Sequence, residues 1–152
     1  MSRQQKIIEG LTKSYWAEIE TVMNYIAHSV NLDGVRAEEI KKSLTAEVAD
    51  ELLHAQSLAK RIKELGGLTP GSKDFKPGQT TLQPGPDTTD VMRVIKGVID
   101  AETMAVQQYK DLIKLCEGED YVTQDLCIRS LADEESHKAM FEGFLKEYTK
   151  GR

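Results

Sequence analysis

The stretch ADELLHA, residues 49–55, places a carboxylate and an imidazole, Glu51 and His54, one helical turn apart in what otherwise reads as helix interior. The pattern Ala-Asp-Glu-x-x-His returns in ADEESH, residues 132–137, as Glu134 and His137. Positions i and i+3 share a helix face, about 5–6 Å apart at Cβ, so the Glu and His of one motif can reach one ion. The repeat continues upstream. AEIETVMNY, residues 17–25, aligns with AETMAVQQY, residues 101–109, which pairs Glu18 with Glu102 and Tyr25 with Tyr109. Glu18 stands 33 positions before Glu51, and Glu102 stands 32 before Glu134. Two matched motifs in the same order, at nearly the same separation, read as two copies of one helical hairpin.

Punctuation along the chain agrees with four long helices. Residues 3–32 hold one glycine and no proline, with Ser2 as a cap and Gly34 as a stop. Residues 36–65 run unbroken to GGLTPG. Residues 66–89 contain all four prolines and no helical pattern, a connection long enough to cross the length of a bundle. Residues 90–117 are helical again, capped by Thr88, Thr89 or Asp90, and a short turn at 118–120 leads to a fourth helix over 121–148. Val91, Val94, Ile95, Val98 and Ile99 carry the helical period, and no segment alternates like a strand. Short loop, long crossover, short loop predicts an all-α four-helix bundle with one crossover between helices two and three, a single domain over residues 1–152.

Composition sets the outer limits. A chain of 152 residues can bury a sizeable core, and 39% hydrophobic with 30% charged residues suits a soluble helical protein. No apolar run is long enough to span a membrane, and MSRQQKIIEG lacks the apolar core of a signal peptide. A net charge of −5 without a basic tail argues against nucleic acid as a partner. Cys116 and Cys127 form no CxxC metal framework, so reduced thiols and a cytoplasmic location are the expectation.

Two hairpins facing each other about a pseudo-twofold would converge four carboxylates, Glu18, Glu51, Glu102 and Glu134, and two imidazoles, His54 and His137. Four carboxylates and two divalent ions sum to zero charge, which makes burial of the acids tolerable. That ligand set suits a pair of irons or manganese ions in a helical bundle, with Mn or Zn as substitutes for iron.

With these motifs the chain resembles the ferritin-like superfamily, and within it the bacterioferritins, over residues 4 to about 148. The resemblance implies terminal metal ligands at Glu18 and Glu102, bridging carboxylates at Glu51 and Glu134, and histidine ligands at His54 and His137. It also implies a tyrosine beside the site at Tyr25, and a homo-oligomer. Two features depart from the family. Bacterioferritins hold haem through a Met directly after the first motif's Glu, and Leu52 stands there, so no haem is expected. They also carry a short fifth helix that helps build a large shell. The sequence after His137 leaves no room for it, which points to a smaller cage or oligomer. Starvation-type mini-ferritins place their site between subunits, a poorer match to a full set within one chain.

Other residues have plainer readings. Glu20 and Glu135 are expected to be solvated neighbours of Glu18 and Glu134. Met23, Met104 and Met140 read as core filler, and Trp16 as core or subunit interface. His28 suits a supporting or structural role, and Cys127 a small apolar core residue. Tyr25 and Tyr109, seven after their Glu, return to its face and either pack in the core or bond a ligand carboxylate. Asp50 and Asp133, each one residue before a motif Glu, face sideways. They are either solvent-exposed or cross the pseudo-twofold, Asp133 to His54 and Asp50 to His137, where a carboxylate would fix the imidazole tautomer. The resemblance implies an iron-storage ferroxidase, oxidising Fe(II) with O2 or peroxide. A rubrerythrin-like peroxide scavenger is the alternative, but it would need a further carboxylate where Ala105 stands and a four-Cys iron site. Another di-metal oxidase is the third class.

Overall fold

The structure is a computed structural model that describes residues 1–150; Gly151 and Arg152, the end of the expected 1–152 domain, lie outside the described residues. Four helices form the bundle: α1 (Arg3–Asn31), α2 (Glu38–Glu64), α3 (Val91–Cys116) and α4 (Tyr121–Tyr148). Among the described residues there is no strand. Each start has its own physical cause. Ser2 caps α1 in a reciprocal capping box with Gln5. Asp90 and Asp120 cap α3 and α4 by accepting from the amides of Arg93 and Thr123. Gly34 (φ 102°) and Gly118 (φ 71°) take the left-handed turns that free the chain to reverse.

Helices α1 and α2 pair closely, as do α3 and α4; α1 also runs against α3, whereas α2 and α4 meet at few points. The long segment between α2 and α3 contains two single 3-10 turns, Ser72–Asp74 and Thr80–Leu82. It is sewn to the α1–α3 side. The backbone amides of Gly78 and Gln79 donate to Glu20 at 2.9–3.0 Å, and the Gln79 side chain donates to Thr21 (2.6 Å) and accepts from Asn24 (2.9 Å). His28 Nε2 meets the Leu82 carbonyl at 2.6 Å. Trp16 is half-buried against Phe75 of the same segment, ring centroids 5.2 Å apart. Two expectations are corrected here. Glu20 is buried rather than solvated, because the crossover supplies its carboxylate with amide donors. Met23, Met104 and Met140 are exposed rather than core. Met23 stands five residues after Glu18, about 140° from the inward stripe.

The interior is two apolar clusters with a polar layer between them. One gathers Tyr25, Leu44, Ile95, Val98 and Phe141; the other Leu11, Leu58, Ile62, Leu112, Cys116 and Cys127. Both cysteines are free and buried. No helix among the described residues is long and apolar enough to cross a membrane.

Gly97 is where the crossover touches α3. A Cβ there would stand 2.5 Å from the Thr81 carbonyl oxygen and 3.2 Å from Leu82 Cα, both backbone. In an exposed helix Gly→Ala gains about 1 kcal/mol. Here Gly97→Ala is expected to lose about 1–3 kcal/mol, the usual size of overpacking. Denaturant melts of the two proteins would show it; a more stable Ala variant would contradict this packing.

Candidate metal centre

Six side chains from all four helices meet between the two apolar clusters. Glu18 comes from α1, Glu51 and His54 from α2, Glu102 from α3, and Glu134 and His137 from α4. All six are buried, none more than 8% exposed. Their ligand atoms fall into two groups, each within 4.8 Å: Glu18, Glu51, His54 and Glu134, and Glu51, Glu102, Glu134 and His137. Glu51 and Glu134 belong to both, so each can span two ions.

The imidazoles face inward through Nδ1. His54 Nδ1 lies 2.8 Å from Glu134, 3.4 Å from Glu18 and 3.9 Å from Glu51. His137 Nδ1 lies 3.2 Å from Glu51 and 3.9 Å from Glu102. None of these approaches is aligned as a hydrogen bond. Both Nδ1 atoms, both Glu51 oxygens and one oxygen each of Glu18, Glu102 and Glu134 are buried without a hydrogen-bond partner. Buried polar atoms are normally partnered. A ring of buried oxygen and nitrogen atoms aimed at common points, none with a hydrogen-bond partner, fits a cation at each point.

The other imidazole nitrogens are accounted for. His54 Nε2 is 2.8 Å from Asp133, and His137 Nε2 is 3.2 Å from Asp50. The structure therefore places the two Asp across the pseudo-twofold, each half-exposed yet in contact with the opposite hairpin's histidine. An Nε2–H donated to carboxylate leaves the Nδ1 lone pair free for a metal. The tyrosines cross as well. Tyr25 of α1 donates to Glu102 (2.5 Å), and Tyr109 of α3 donates to Glu18 (3.3 Å). Glu135 is exposed.

Crowding shifts the proton affinities. Burial, and then neighbouring carboxylates, raise Glu18, Glu51, Glu102 and Glu134 above the usual carboxylate range. Burial alone would lower the His54 imidazole, but Glu134, Glu51 and Asp133 beside it carry it up to about 9. His137 is raised against its burial by the surrounding acids. Burial and adjacent carboxylates also keep Tyr25 and Tyr109 protonated.

Sequence reasoning missed Glu47. It is 2% exposed, and burial pushes its carboxyl up to about 8. The available signal was its place four residues before Glu51, on the same stripe of α2. Its match in the second copy is Ser130, so the repeat did not flag it.

The ferritin-like domain family matches residues 8–150. The chain belongs to the ferritin-like family. Among its relatives, the bacterial ferritin of Neisseria meningitidis serogroup B is 30% identical over 148 residues, 96% of this chain and 90% of that protein. The bacterioferritin of Desulfovibrio desulfuricans, solved with its diiron site in different catalytic states, superposes with a TM-score of 0.78 at 28% identity, over 95% of this chain and 80% of that one. A dodecameric thioferritin, the bacterioferritin-related protein of Bacteroides fragilis, shares the fold with a TM-score of 0.88 at 22% identity, covering 97% of this chain and 88% of that one.

In the metal-free protein the raised groups give stability an inverted pH dependence. A carboxyl raised above its unfolded value of 4.5 holds a proton in the folded state that the unfolded chain has already released. That contribution fades as pH climbs from 4.5 through the raised value. A raised imidazole likewise stabilises fully below 6.5, and the effect is gone by about 9 for His54. Chelator-treated protein is therefore expected to melt at a progressively lower temperature from about pH 5 to about pH 9. A melting temperature that climbs across this range would contradict the raised proton affinities of the layer.

Proposed function

We propose that the chain is a di-iron ferroxidase of the iron-storage kind. It takes two Fe(II) per subunit as substrate and oxidises them with O2 or peroxide. The observation that carries the reading is the pair of overlapping four-residue groups sharing Glu51 and Glu134, with their inward lone pairs unpartnered. The bacterioferritin with its diiron site supports it as a relative. In this reading Glu18 and His54 hold one iron, Glu102 and His137 the other, and Glu51 and Glu134 bridge both. Asp133 and Asp50 fix the histidine tautomers, while Tyr109 and Tyr25 orient the two terminal carboxylates.

Electrons and protons balance simply. Two Fe(II) give up one electron each to O2, which takes two protons and leaves as H2O2; with peroxide as oxidant the same two electrons and two protons yield two waters. The chain's part is to bring two Fe(II) together in a dry layer where four carboxylates offset their charge. Tyr25 O–H and Tyr109 O–H hold terminal carboxylate oxygens in place, so reorganisation on charge change falls on the bridging pair. Assembly as a homo-oligomer also belongs to this reading. The B. fragilis protein of the same fold is dodecameric. Met23, Ile26 and Val30 form an exposed apolar row on α1 that a second copy could cover.

Aerobic Fe(II) addition is expected to give a fast ferric absorbance rise that saturates at two irons per chain. Glu18→Ala or His54→Ala should abolish the fast phase. Equal rates in wild type and variants would remove the ferroxidase assignment.

Asp133→Asn and Asp50→Asn are expected to keep the fold and weaken metal binding by about 10–100-fold, the usual loss when a histidine ligand's outer partner is removed. Zn(II) competition titrations measure this directly. Unchanged affinity in both variants would show the two contacts to be incidental.

A further inference from the structure

A cleft of about 520 Å³ lies on the outer side of the bundle, between α1, α3 and the crossover. None of the six residues of the centre lines it. Three alanines, Ala17, Ala101 and Ala105, reach least far from their helices and so set its floor. Ala17 directly precedes Glu18, and Ala101 directly precedes Glu102. The floor is therefore the back of the two helices that carry the terminal carboxylates inward. Clefts of about 300–1,000 Å³, mostly apolar and with a few polar groups, are the usual seats of small molecules.

The lining narrows the chemistry of the occupant. Trp16 of α1 and Met104 of α3 supply the largest apolar surfaces. Phe75 and Tyr15 are tilted against Trp16 rather than stacked on it, at 50° and 53°, which fixes the indole without covering the side that lines the cleft. An indole, a thioether and a flat alanine floor together suit the face of a planar ring. Most of the polar lining is already partnered. Glu20 accepts from the Gly78 and Gln79 amides, the Gln79 side chain lies between Thr21 and Asn24, and Thr12 donates to the Ile8 carbonyl. Among the described residues, Gln108 is the one uncharged polar side chain of the lining without a hydrogen-bond partner. Its amide offers a donor and an acceptor side by side. At the mouth each side carries one exposed acid and one exposed base, Glu9 with Lys13 on α1 and Asp74 with Lys76 on the crossover. A mouth balanced in this way gives no advantage to a ligand of either charge.

We propose that this cleft binds an uncharged planar heteroaromatic ring with a lactam or imide edge, of which the isoalloxazine of a flavin is the type. The ring lies against Trp16 and Met104 over the alanine floor, and its N–H and C=O pair with the Gln108 amide. The site is separate from the two-metal reading and does not depend on it.

Lumiflavin, an isoalloxazine without a charged tail, is the probe, and phenazine is a three-ring plane that lacks the lactam edge. Equilibrium dialysis gives stoichiometry, and quenching of Trp16, the single tryptophan of the chain, gives location. One lumiflavin per chain is expected, with dialysis and quenching saturating together. Ala17→Phe puts a ring into the floor from a half-buried position and should weaken binding at least about tenfold, as overpacking would. Gln108→Leu should weaken lumiflavin by about two- to tenfold, the size of one net hydrogen bond, and leave phenazine unchanged. Absence of saturable lumiflavin binding by wild type overturns the proposal, as does equal binding by Ala17→Phe or by Gln108→Leu. If Trp16 is shielded from acrylamide as well as from lumiflavin, a second copy of the chain fills the cleft and the proposal fails.

Discussion

Everything in the bundle answers to one constraint: four carboxylates and two imidazoles are held in a dry layer halfway along the helices. An apolar core would be continuous from end to end. Here it is cut in two, with Leu44, Ile95 and Phe141 on one side and Leu11, Leu58 and Leu112 on the other. The layer holds together without metal only by taking up protons, which is why its carboxyls and imidazoles bind them so tightly. Two dications would replace those protons with charge that matches the acids. Folding energy from the apolar clusters therefore keeps the six groups preorganised, and metal would relieve the layer's electrostatic cost.

The repeat explains more than the ligand count. Each hairpin supplies half of the layer, but the supporting contacts run between hairpins. Asp133 reaches His54, Asp50 reaches His137, Tyr25 reaches Glu102, and Tyr109 reaches Glu18. A hairpin alone would have inward groups with nothing to orient them. Crossing makes the geometry of each half depend on the packing of the other, so the pseudo-twofold is enforced by hydrogen bonds as well as by apolar burial.

Much of this was legible in the sequence because it rests on local rules. Helix ends followed from Ser2, Asp90 and the glycines near the turns, and convergence of the six groups followed from i,i+3 spacing twice repeated. The crossed Asp contacts and the inward facing of Tyr25 and Tyr109 were open to sequence reasoning because a one-step or seven-step offset on a helix has a fixed angle; that each tyrosine bonds the opposite hairpin's Glu was not. What stayed hidden depends on tertiary partners. Glu20 looked solvated until the crossover laid Gly78 and Gln79 against it. Met23 and Met104 looked like filler because methionine is apolar, yet their angular positions put them outside. Glu47 broke the repeat, and a method that reads symmetry passes over what lacks a counterpart.

The crossover also decides which side of the layer is closed. It runs over the α1–α3 side, pinned by Glu20, Thr21, Asn24 and His28 and seated against Gly97. On that side the layer lies behind both helices and a strap. On the opposite side α2 and α4 meet at few points, and the groups over the histidines are the half-exposed Asp50 and Asp133. The acids that orient the imidazoles are therefore also the thinnest cover of the centre. A cation approaching from solvent meets negative charge first on the α2–α4 face, and the ligands behind it are already aimed. In the two-metal reading each contact pair would serve two ends, holding the imidazole on the inside and presenting negative charge on the outside.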